Sequence, residues 1–239
     1  MPSFKILKPI PSCNVDIKLL RLIEYLYSDF CKQYLLTEVD KNDKRQFSIR
    51  IIDSIGTEVF HSVDSIIYEK FPDEIKRIDV DLDAYNYDLK YNLRIELKFT
   101  LLRSSSILEI YFSGNEARSA SIAMCDKIMQ AIKSKENDNS LYNPTNNAGS
   151  LIFSISFAPF VLIIPLSKFS LKLWFIVFYI SISLWVYLYF GKKLKPYCLF
   201  DTPKNDRKTG FANWFIFGLI GFFLFGTILT LARRQILGF

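Results

Sequence analysis

Three strongly apolar runs fill most of the C-terminal third of the chain, and no other feature restricts its fold as much. The first, AGSLIFSISFAPFVLIIPL, carries no charge from Ala148 to Leu166. As a helix rising 1.5 Å per residue it would be about 28 Å long, close to the roughly 30 Å of a bilayer's hydrocarbon core. The second, residues 171–190, is uncharged after Lys172, and the third covers residues 211–232. Pro159 and Pro165 interrupt the first run, which membrane helices tolerate better than soluble ones. The pattern predicts an α+β cytosolic domain, an antiparallel sheet with flanking helices, followed by an all-α transmembrane region of three helices. The expected units are residues 1–138 as the head, 139–150 as a polar linker, and 151–239 as the membrane part.

Charge follows the same division. Residues 1–150 hold 20 Lys and Arg against 22 Asp and Glu, whereas residues 151–239 hold 10 against 2. The overall +6 is therefore not that of a basic domain, and a polyanion-binding stripe needs its cations on one face. No nucleic-acid partner is expected. Six of the tail's cations, Lys192, Lys193, Lys195, Lys204, Arg207 and Lys208, lie between the second and third runs. They read as a basic loop at a membrane surface, flanked by Tyr187, Tyr189, Tyr197 and Trp214, as aromatic rings flank headgroups. Together with Lys133 and Lys135 they give eight cations on the head's side. Lys168, Lys172, Arg233 and Arg234 give four on the other. The expected localisation is the cell membrane, multi-pass, with the N-terminal domain cytoplasmic. The bilayer is one expected partner, and further copies of the chain or a second protein the other. Gly218, Gly221 and Gly226 in the third run would let a neighbouring helix approach closely.

In the head, residues 15–35 place Leu19, Leu22, Ile23, Leu26, Phe30 and Tyr34 at helical spacing. The clearest strand is YNLRIELKFTL, where Leu93, Ile95, Leu97 and Phe99 alternate with Arg94, Glu96 and Lys98. FSIRII, TEVF, IKRIDVDL and ILEIYF read as further strands. Residues 115–133 read as a helix with Ile122, Cys125, Ile128, Met129 and Ile132 inward. A short helix is also expected around residues 63–70.

Linear motifs for chemistry are absent. His61, with Ser62 and Asp64 beside it, sits on an extended segment whose neighbours point to different faces, which disfavours a triad. Asp79, Asp81 and Asp83 share a strand face but fail the calcium-loop pattern, because Ala84 and Lys90 stand where glycine and glutamate are required. They read as a solvated acidic face that could dock a basic surface, the 191–210 loop among the candidates. Cys13, Cys31, Cys125 and Cys198 match no zinc or disulfide spacing and read as isolated reduced thiols. No cofactor or metal is expected, and catalysis is not indicated. The first functional reading is a membrane-anchored sensor or effector whose head binds a ligand or partner and whose tail acts in the bilayer. That layout resembles bacterial effectors of the phage-defence type. A non-catalytic membrane scaffold or accessory subunit is the alternative, and an enzyme whose site in the head is assembled from distant residues is the third.

Overall fold

The computed structural model of the chain describes residues 2–34, 43–66, 71–86, 91–114, 116–162, 181, 184–185, 189, 191–193, 195–205, 207, 210, 214 and 218. Alternation in the sequence becomes a six-stranded antiparallel sheet. Its strands are β1 (Ser3–Pro9), β3 (Asp43–Ile52), β4 (Thr57–Phe60), β5 (Arg77–Asn86), β6 (Tyr91–Thr100) and β7 (Ile107–Ser113). They lie in the order β1-β7-β6-β5-β3-β4. On the central strands one set of alternating side chains is wholly buried: Ile78, Val80 and Leu82 of β5, and Leu93, Ile95, Leu97 and Phe99 of β6. The register Val80↔Leu97 and Leu82↔Ile95 puts these residues side by side, so one face of the sheet is continuous hydrocarbon.

Two helices close that face. α1 (Ile17–Tyr34) starts at Asp16, whose carboxylate accepts the Leu19 amide at 2.8 Å, an N-cap. α2 (Ala117–Lys133) packs on β1, β7 and α1. Phe30 of α1 meets Phe112 of β7 edge to face at 6.0 Å, and Tyr27 stacks on Phe47 of β3 at 6.4 Å, so α1 reaches across most of the sheet. The buried stripes are rotated from those the spacing suggested. Leu22 and Ile122 are exposed, while Leu20 and Tyr27 of α1 and Met124 of α2 are inside. The expected helix at 63–70 is a 3-10 turn at Val63–Ser65, capped by Ser62, and residues 67–70 lie outside the described residues.

A second, two-stranded sheet joins the ends of the described chain. β2 (Cys13–Val15) pairs in parallel with β8 (Cys198–Phe200). Tyr197, Cys198, Phe200 and Thr202 are buried, and full burial of a large apolar side chain contributes about 1.5–3 kcal/mol. Polar contacts fix the segment further. The Tyr197 hydroxyl donates to the Ile10 carbonyl at 2.8 Å, Asn139 Nδ2 to Pro196 O at 2.9 Å, and Asn143 Nδ2 to Lys195 O at 2.8 Å.

The three-helix transmembrane region is not found among the described residues. α3 (Asn146–Leu162) overlaps the first expected span but begins two residues earlier, on Asn146 and Asn147. Its 17 residues rise about 25 Å, short of the roughly 30 Å to be crossed. Among the described residues no helix is long and apolar enough to cross a membrane. The fold class is corrected to an antiparallel sheet with helices. The reading as an integral, multi-pass protein of the cell membrane, which rested on three such helices, is corrected with it. Most of the second and third runs, 171–190 and 211–232, lies outside the described residues.

Candidate functional site

The turn between β6 and β7 projects Arg103 from one end of the sheet, next to the place where the 195–200 segment returns. Thr100, Leu102 and Ser106 lock this turn. Ser106 Oγ donates to Leu102 O at 3.0 Å, Thr100 Oγ1 donates to the same carbonyl at 2.7 Å, and the Tyr197 amide donates to Leu101 O at 3.1 Å. Arg103 is thereby held over the Tyr197 ring, 5.8 Å from its centroid, and its Nη1 donates to Asn143 O at 3.3 Å. Around it opens a cleft of about 610 Å³. Pro9, Ile10 and Pro11 form one wall, Met129 and Lys133 at the end of α2 another, and Thr145, Asn146 and Asn147 at the start of α3 a third.

The electrostatics of this cleft are one-sided. Among the described residues Arg103 and Lys133 line it, and no carboxylate does. The Asn146 and Asn147 amides belong to the turn where a helix offers no intrahelical acceptor, while Thr145 Oγ1 takes the Ala148 amide at 3.4 Å. The positive end of the α3 dipole therefore adds to the two cations. Burial pushes the Tyr197 hydroxyl above the usual tyrosine range, against the opposing pull of Arg103, so the ring stays neutral at neutral pH. Arg103 offers a planar fork suited to oxyanions, already oriented by its stacking and its bond to Asn143. Its volume falls within the range of small-molecule pockets.

None of these cleft residues was singled out from the sequence as a site. They come from five separate segments; in the sequence Lys133 reads as a charge, Tyr197 as an aromatic flank of the basic loop and Met129 as an inward helix position, none of them as part of a site. Of the basic loop, Lys192, Lys193 and Arg207 are exposed, Lys195 is half-buried, Lys204 pairs with Glu74, and Lys208 lies outside the described residues. A methyl group added at Gly218 would meet nothing within 4 Å, and Gly221 and Gly226 lie outside the described residues.

Asp79, Asp81 and Asp83 do share the sheet face opposite the helices, but arginines from the same and neighbouring strands answer them. Arg77 Nε donates to Asp79 at 2.5 Å, Arg50 pairs with Asp81, and Arg94 lies 3.9 Å from Asp83. Asp79 is only 1% exposed, and its Oδ2, like Asp81 Oδ1 and Arg50 Nε, has no hydrogen-bond partner among the described residues. Burial raises the Asp81 carboxyl above its ordinary range despite Arg50, and the bond to Asp79 raises Arg77. No group of His, Cys, Asp and Glu that could hold a metal occurs among the described residues. His61 is exposed and contacts Phe47 O at 3.4 Å, while Ser62 and Asp64 serve a turn cap and an ion pair with Arg21.

The thiols are not all isolated. Cys13 and Cys198 are register partners of the parallel pair and both fully buried. The Cys13 thiol is held far above the usual range, first by its hydrogen bond with Cys198 and then by burial.

No protein family model matches the chain, and no curated protein or solved structure is similar enough to align with it.

Proposed function

We propose that the α+β domain is a binding module for a small anionic ligand, a phosphate- or carboxylate-bearing molecule held in the cleft beneath Arg103. The observation that carries this reading is a preformed cavity of about 610 Å³ lined, among the described residues, by two cations and no carboxylate. Arg103 would take the anionic group with its planar fork, Lys133 would add charge, and Ile10, Met129 and the prolines would cover an apolar part of the ligand. Binding fits better than catalysis here, since the described lining residues include no histidine, cysteine or carboxylate to serve as nucleophile, acid or base.

Calorimetry and thermal-shift titration of the full chain with inorganic phosphate, citrate and adenosine monophosphate test the proposal. At least one should bind, and Arg103→Ala with Lys133→Ala should weaken it tenfold or more while circular dichroism stays that of the wild type. Equal binding by the double variant, or no binding of any of the three at millimolar concentration, overturns the proposal.

A further inference from the structure

A second cleft backs onto the first. Leu102 and Pro196 line it where Arg103 and Tyr197 line its neighbour, so the β6–β7 turn and the returning segment form the wall between the two. It has a volume of about 450 Å³ and is lined, among the described residues, by four lysines, Lys76, Lys192, Lys193 and Lys204, against one carboxylate, Glu74. That carboxylate is already engaged, because Lys204 Nζ and Ser54 Oγ both donate to it. Lys204 is fixed as well through its amide, which donates to Asp73 at 2.9 Å, so this pair contributes little net charge. Lys192 and Lys193 remain without an ion-pair partner among the described residues, and Lys76 has only a longer-range attraction to Asp53, outside the cleft lining. Lys76 is exposed but its backbone is anchored, its amide donating to Ile52 O at 2.8 Å. Lys192 and Lys193 are exposed, and Lys193 lies 5.4 Å from the centroid of the Tyr189 ring.

Like charges lining one cavity repel each other, and an anion bound among them relieves that repulsion. They approach from two distant parts of the chain, and lysine is a point charge on a flexible stem, without the planar fork that suits a single carboxylate. A chain of linked phosphates offers each ammonium its own oxyanion and has room in a cavity of this size. We infer that this second cleft is a site for an oligophosphate group, separate from the cleft of the proposed function and dependent on Lys76, Lys192 and Lys193. Because the segment 195–198 and the turn 101–106 wall both clefts, an occupant of either rests on the same backbone.

The test is calorimetric binding of sodium tripolyphosphate, orthophosphate and adenosine triphosphate to the full chain, repeated at several salt concentrations. Tripolyphosphate should bind at least tenfold tighter than orthophosphate, weaken steeply with added salt, and lose at least tenfold in the Lys76→Ala, Lys192→Ala, Lys193→Ala variant. It should be kept in the Arg103→Ala, Lys133→Ala variant, which separates failure here from failure of the first cleft. The lysines are exposed, so the triple variant should fold, and its melting temperature checks this. Wild-type affinity in the triple variant, or loss of binding only in the Arg103 and Lys133 variant, overturns the inference. So does adenosine triphosphate binding more than tenfold tighter than bare tripolyphosphate, since recognition would then lie with the nucleoside.

Discussion

Phe200→Ala is the sharpest probe of how the returning segment is bound. Phe200 is fully buried in β8, in register with Val15 of β2, and its carbonyl accepts Asn205 Nδ2 at 3.1 Å. Neighbouring backbone bonds, Asp201 N to Val15 O and Phe71 N to Asp201 O, both 3.0 Å, leave it little room to relax. Truncating a buried phenylalanine costs about 3–5 kcal/mol, the lost transfer free energy plus the cavity left behind. Against a total of about 5–15 kcal/mol that is a large share. With a urea slope of about 2 kcal/mol per molar, the unfolding midpoint should fall by about 2 M. Phe200→Leu, which nearly conserves volume, should cost less than about 1.5 kcal/mol. Alkylation adds a local readout. Cys13 is buried against β8 and should resist iodoacetamide in the native wild type, yet become labelled in Phe200→Ala as the segment opens. A loss below about 1 kcal/mol with Cys13 still protected would refute the reasoning, because Phe200 would then not be part of the shared core.

Two further outcomes follow from local geometry. At Gly114 an added Cβ would stand 2.1 Å from the Tyr91 ring, so Gly114→Ala should cost about 1–3 kcal/mol in denaturant unfolding, and Tyr91→Ala in the same chain should recover part of it. Asp53 accepts the Gly56 and Ile55 amides, both at 2.7 Å, and these bonds hold its carboxyl below the ordinary value. Its contribution to stability is therefore complete above the unfolded value of about 3.9 and is lost as pH falls through the lowered folded value. Carboxyl NMR should find its midpoint below that of a free aspartate. Asp53→Asn, which keeps an acceptor and removes the titration, should flatten the acid limb of the stability curve.

How much of this was legible varies with how the residues are exposed. The strands β5 and β6 could be read because each has one face in hydrocarbon and one covered by charge, so period two survives in the sequence. β1 escaped notice because it is an edge strand. Leu7 is 61% exposed and Lys5 and Lys8 flank it, so its pattern says little about pairing. β2 and β8 are three residues each, too short for any period. The lysines around β8 also made residues 191–210 look like a uniformly solvated loop, hiding Tyr197, Cys198, Phe200 and Thr202. In the stretch read as a first span, Leu151 and Phe153 are exposed on a helix whose 17 described residues are too few to cross, and hydropathy averaged over a run reports neither fact. The cleft was invisible for a simpler reason. Arg103, Lys133, Asn146 and Tyr197 become neighbours only when the sheet, α2, α3 and the returning segment are all in place.

The parallel pairing of Cys13–Val15 with Cys198–Phe200 also sets a timetable. A ribosome makes the first of these strands 185 residues before the second. At about 5–20 residues per second, β2 waits roughly ten to forty seconds for its partner. Throughout that interval Cys13 and Val15, later fully buried, lack their cover, and the strand's open edge is free to pair with another nascent chain. The six-stranded sheet needs nothing beyond Ser113 and can form early, whereas sealing the domain waits on residue 200. A shortage of lysyl-tRNA would prolong that wait, because three lysine codons, for Lys192, Lys193 and Lys195, lie just ahead of β8.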